Sequence, residues 1–303
     1  MQTIIYRNHV KGFFLVAFAA TLWSFGALIV RYMVAAQSYQ WQYLFFRGVT
    51  IAMVLLIYLM AKEGSGFIKS IKGIGLSGLL GACGLVAAFS GFIWSITLST
   101  AANTLFMLAA TPFIAALLGI AFLQEKIRYM TWVAMVIALV GMLIMVLEGL
   151  KAGNFLGNLM ALVSAVGFAV FAVSLRWRKE TPQFTTVALG GALCALLTML
   201  ILLFHNDTLG MPSRNVYLSI LHGFIVGSGF ILFSMGAEFL PAAELALLSL
   251  IEVIGGVFWV YVPIFGIHEV PSALTVVGGI IVLSAIVLDG MSVRQKRQMI
   301  GIT

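Results

Sequence analysis

A glutamate inside an apolar run is the first place to look for chemistry. Glu252 lies about ten residues into the run 242–263. As a helix at 1.5 Å per residue, that puts it roughly 15 Å along, near a bilayer midplane. A carboxylate at that depth is costly and faces a bundle interior or a wet cavity. It can hold a substrate ammonium, carry a proton, or brace neighbouring helices through hydrogen bonds. Glu244, eight residues earlier on roughly the same face, falls at the rim, where solvation is expected. Arg47 lies about six residues inside the run 41–61. Its readings are snorkelling to the headgroups, a structural ion pair, or contact with a substrate carboxylate. A pair with Glu252 is compatible with the two residue types. Arg31, closer to a surface, is expected to snorkel.

Trp23, Trp94 and Phe168 fall mid-run, away from the interfaces where tryptophan commonly anchors. They either pack or wall a cavity. Asn103 and Thr111 offer polar contacts in the fourth run, either to substrate or between helices. The candidate substrate-binding set is therefore Trp23, Trp94, Asn103, Thr111, Phe168 and Glu252, with Glu252 and Arg47 as a coupling site or ion pair. Sharper motifs fail. Gly64–Ser70 lacks the Gly-Lys step of a phosphate-binding loop. His9, His205, His222 and His268 are scattered, and Cys83 and Cys194 sit alone in apolar runs. No metal or nucleophile spacing occurs, and no cofactor is expected.

These residues need elements to hold them. Of 303 residues, 62% are hydrophobic and 9% charged, against roughly 25% charged in soluble domains, so lipid is the fitting solvent. A crossing helix needs about 20 apolar residues. Ten runs qualify: 12–33, 41–61, 71–98, 102–123, 129–147, 155–176, 184–204, 215–237, 242–263 and 271–289. Ser99–Asn103 marks a turn, Pro241 breaks the eighth run from the ninth, and Pro271 opens the tenth. The first run is about 22 residues long, too long for a signal-peptide core, and reads as a retained helix. With the N-terminus inside, 13 Lys or Arg residues fall on the cytoplasmic side and 3 on the outer side. That asymmetry sets the orientation and accounts for the net charge of +7 without nucleic acid.

A shift of 145 residues brings Gly12 onto Gly157, Trp23 onto Phe168 and Arg31 onto Arg176; a shift of 144 brings Glu125 onto Glu269. The expected organisation is a cytoplasmic segment 1–11, a five-helix unit 12–147, a second unit 155–289 and a cytoplasmic tail 290–303. Five is odd, so the second unit enters the membrane inverted. Gly75, Gly78, Gly81 and Gly84, with Gly223 and Gly227, are expected to let helices approach closely.

The stretch Phe92–Lys126, FIWSITLSTAANTLFMLAATPFIAALLGIAFLQEK, resembles the signature of the drug/metabolite transporter superfamily, in particular EamA-type exporters. Leu22-Trp23-Ser24, Arg47, the run 237–243 and Leu250-Ile251-Glu252 extend the resemblance over nearly the whole chain. Val253 departs from it, standing where the family usually has proline, and Gln124 replaces the usual glycine before Glu125. The resemblance implies an all-α fold of ten transmembrane helices in two inverted repeats. It also implies a cavity lined by helices one and six, hence by Trp23 and Phe168.

These readings together predict a secondary transporter of a small, amino acid-like organic metabolite, with export favoured. It would sit multi-pass in a bacterial inner membrane, both termini cytoplasmic, as a monomer or homodimer. The alternative is an intramembrane lipid-modifying enzyme or a lipid flippase.

Overall fold

The computed structural model describes residues 2–151, 154–178, 180–240 and 242–299. Pro241, Lys179 and the last residues of the 290–303 tail lie outside them, as do the side chains of Arg7, Lys151, Arg294, Lys296 and Arg297. Among the described residues the chain is helical without strands. The helices are α1 (Gln2–Arg31), α2 (Gln40–Glu63), α3 (Phe67–Lys72), α4 (Gly75–Leu98), α5 (Ala101–Leu108) and α6 (Thr111–Leu123). There follow α7 (Tyr129–Lys151), α8 (Phe155–Trp177), α9 (Gln183–Phe204), α10 (Ser213–Ala237), α11 (Ala242–Tyr261) and α12 (Ala273–Met299).

Among the described residues, nine stretches are long and apolar enough to cross a membrane, and the ninth expected run is represented by the shorter apolar segment Leu247–Tyr261 of α11. Side chains such as Phe14, Phe122, Val136 and Leu200 stand exposed on the outside of the bundle, as lipid-facing positions do. The expected third run is divided. Gly75, the first residue of α4, takes the left-handed backbone (φ 57°), and a Cβ there would meet nothing within 4 Å. It therefore turns the chain into α4 and is not part of a packing stripe. The fourth run is divided too, into α5 and α6, which packs as one span. Thr100 caps α5, its hydroxyl accepting the Asn103 N–H at 3.1 Å.

The packing follows a pseudo-twofold rule. α4 lies on α8, and α1 lies on α10. The α5–α6 span packs on α8, and α11 packs on α1. α9 joins α4, and α2 joins α10. Counting α5–α6 as one span and setting aside α3, each relation turns into its partner when every span is exchanged with the one five places away. α2 with α9 and α7 with α12 map onto themselves. Two walls result: α1, α10 and α11 on one side, and α8, α4 and α5–α6 on the other.

Glycines set the self-paired contacts. A Cβ on Gly48 would stand 2.7 Å from the Gly191 carbonyl oxygen, and one on Gly191 would stand 2.8 Å from that of Gly48. Gly141 and Gly278 meet in the same reciprocal way, at 2.6 and 2.7 Å. Backbones this close leave no room for a side chain, and van der Waals packing carries helix association in lipid. Gly84 and Gly223 serve the walls similarly, against the carbonyls of Gly167 and Arg47.

Candidate functional site

A cavity of about 340 Å³ lies between the two walls, within the ~300–1,000 Å³ typical of small-ligand sites. Of the residues predicted from sequence, Trp23, Thr111, Phe168, Glu252 and Arg47 line it. Trp23 on α1 reaches in because Gly229 leaves space for its indole. Its Nε1 donates to the Val226 carbonyl at 3.3 Å, and its rings meet Phe230 and Phe233 at 5.2 and 5.4 Å. Phe168, its counterpart on α8, meets Phe89 edge-on at 6.4 Å. The walls are largely aromatic.

Two formal charges face this apolar space. Arg47 on α2 is only 4% exposed, so it does not snorkel. Its guanidinium lies over the Phe89 ring at 4.8 Å, a cation–π contact. Its Nε and Nη1 are buried and have no hydrogen-bond partner among the described residues. Glu252 on α11 lines the same cavity. Among the described residues neither takes part in an ion pair, with each other or with any other group. Thr111 opens α6, and its hydroxyl donates to the Leu108 carbonyl at 2.6 Å.

Trp94 and Asn103 lie outside the cavity wall. Trp94 packs against Trp41 with ring centroids 5.0 Å apart. The Asn103 carboxamide donates to Asn158 and to Ser99 Oγ, tying the start of α5 to α8 and the end of α4. The rim residues are paired as well. Glu244 meets His9 at 2.8 Å. Arg31, expected to snorkel, meets Glu269 at 2.6 Å.

The cavity also recruits residues outside the predicted set. His222 is 2% exposed and hydrogen-bonds the Tyr43 hydroxyl at 3.0 Å, one turn from Arg47. Phe89, Phe171 and Phe230 complete the aromatic lining. A signal existed on α10: His222, Val226, Phe230 and Phe233 recur at the spacing of one helical face.

A cavity between two pseudo-symmetric walls, holding a buried cation and a carboxylate, suits reception of a small solute. Comparison with known proteins points the same way. Residues 10–147 match the model of the EamA-like transporter family. The match suggests a membrane transporter of the drug/metabolite type, with a small molecule as substrate and lipid as surroundings. One crystal structure of a protein aligns over 91% of this chain and 96% of its own, with a TM-score of 0.63 and 18% identity; it shares the fold. No curated protein matches the chain.

Proposed function

We propose that this protein is a secondary transporter that carries a small, amino acid-like metabolite through the cavity by alternating access between its two repeats, 12–147 and 155–289. One observation supports the substrate class above others. Arg47 and Glu252 face one aromatic cavity, and among the described residues neither has an ionic partner. Buried charges are normally paired, and a zwitterion with an apolar or aromatic body supplies a partner to each. Trp23, Phe168 and Thr111 contribute walls and a hydroxyl oxygen. Trp94 and Asn103 act at one remove, through packing and through the α5–α8 tie. The distribution of Lys and Arg supports cytoplasmic termini in a bacterial inner membrane, and the family resemblance favours export.

The test is flux into proteoliposomes containing the purified protein, with a panel of neutral, anionic, cationic and zwitterionic metabolites of matched size. Saturable flux confined to zwitterions with apolar bodies is expected. Equal flux of neutral analogues would remove the charge-matched reading. Chemical conversion of lipid in the same vesicles, without flux, would replace transport with enzymology.

A further inference from the structure

The repeat places the same two charged residues at both ends of the cavity. Arg31 and Arg176 are 145 residues apart, and Glu125 and Glu269 are 144 apart. Each arginine pairs with the glutamate of the other repeat. Arg31 Nε lies 2.6 Å from Glu269 Oε2, and Arg176 Nη1 lies 2.9 Å from Glu125 Oε2. The helices alternate in direction, so the first pair sits at the end of the bundle far from the termini. The second sits at the end where α1 begins.

The two pairs are used differently. At the far end, Arg31 reaches across to the opposite wall, donating to the Ile96 carbonyl at 2.6 Å and the Ser99 carbonyl at 2.7 Å. Glu269 also reaches across, accepting the Ala101 N–H at 2.6 Å. One ion pair thus joins α1 and the segment after α11 to the end of α4 and the start of α5. Its side chains are 20% and 21% exposed. At the terminal end, Arg176 donates to the Ala115 carbonyl at 3.0 Å, which belongs to its own wall. Glu125 folds back over Gly119, where a Cβ would strike its carboxylate. Among the described residues, neither reaches the opposite wall, and their side chains are 43% and 38% exposed. The cavity follows the same bias. Its lining runs toward the terminal end through Ala115, Ala172 and Gln183.

We propose that Arg31–Glu269 and Arg176–Glu125 are paired gates, captured here with the far gate latched across the cavity and the terminal gate stowed against its own wall. The proposal rests on the transporter reading. In the opposite state the roles exchange. Arg31 lets go of the α4 end, and Arg176 swings across to the opposite wall at the end of α10, beside Leu240. Charge-assisted bonds suit a gate that must hold and then release, because each gives up protein partners for water at the moment of opening.

The test uses single cysteines in the full chain with Cys83 and Cys194 replaced. A115C reports the terminal entrance and L105C the far side. Both are labelled in sealed vesicles of each orientation with a membrane-impermeant maleimide. R31Q and E269Q should each raise far-side labelling of L105C by at least about tenfold, the scale of losing a charged hydrogen bond, and lower terminal-side labelling of A115C. R176Q and E125Q should shift both in the opposite direction. R31K keeps the charge but loses the fork to two carbonyls, and should give a smaller rise; it also serves if a neutral variant does not fold. Unchanged labelling in folded R31Q, E269Q and R31K would overturn the gates. Solute flux is measured in parallel. Labelling that shifts in vesicles without flux keeps the gates and removes the transporter reading. Flux that falls with labelling unchanged does the reverse.

Discussion

The fourth and ninth spans occupy equivalent places in the two walls, yet only one of them breaks. In the fourth, Pro112 follows Thr111, and the helix divides into α5 and α6. Proline has no N–H to offer the carbonyl four residues back, which here is that of Leu108. The Thr111 hydroxyl supplies the missing donor at 2.6 Å. In the ninth, Val253 follows Glu252, and α11 runs unbroken from Ala242 to Tyr261. One span spends its polar side chain on repairing its own backbone. The other needs no repair and leaves its carboxylate to the cavity. Two equivalent spans thus divide the work, one structural and one electrostatic.

Three substitutions probe that division. V253P places in α11 the residue that divides the fourth span. It should cost about 3 kcal/mol, read as a fall in the thermal midpoint of the purified protein. An unchanged midpoint would mean that both spans accept the break and that the contrast is superficial. E252Q removes the carboxylate without changing its size. It should lower flux of a zwitterion roughly tenfold or more, the scale of a hydrogen bond to a charged group, and spare a neutral analogue if that is carried at all. T111V should have the smallest effect on flux, under about fivefold, while lowering stability by roughly 1 kcal/mol through the Leu108 carbonyl left unpaired. A flux loss in T111V as large as that in E252Q would erase the distinction.

Much of this architecture could be read from the chain, because lipid imposes a strong rule: long apolar runs, charges confined to their ends. Five cavity residues were legible because a charged, polar or large aromatic side chain within a run is conspicuous. Trp94 and Asn103 were conspicuous for the same reason and face elsewhere. Each stands two residues from a lining residue, Phe92 and Leu105, and two residues turn a helix by about 200°. Without a known facing surface, type alone cannot settle orientation. His222 had the opposite problem, since one histidine among four scattered ones carries no spacing signal. The offset marked the equivalent arginines and glutamates. It could not reveal that Arg31 meets Glu269, 238 residues away, because that pairing depends on how the repeats are folded onto one another.

The reciprocal contacts of Gly48 with Gly191 and of Gly141 with Gly278 have a further consequence. Each joins a helix to its own image, α2 to α9 and α7 to α12, so both lie close to the line about which the two repeats are exchanged. A rotation leaves its axis in place. When the walls trade conformations these two points can act as fulcrums, and the levers on either side need not drag them along. Spectroscopic probes on the outward-facing side of the same helix turns should therefore move least through a cycle that shifts the two cavity walls.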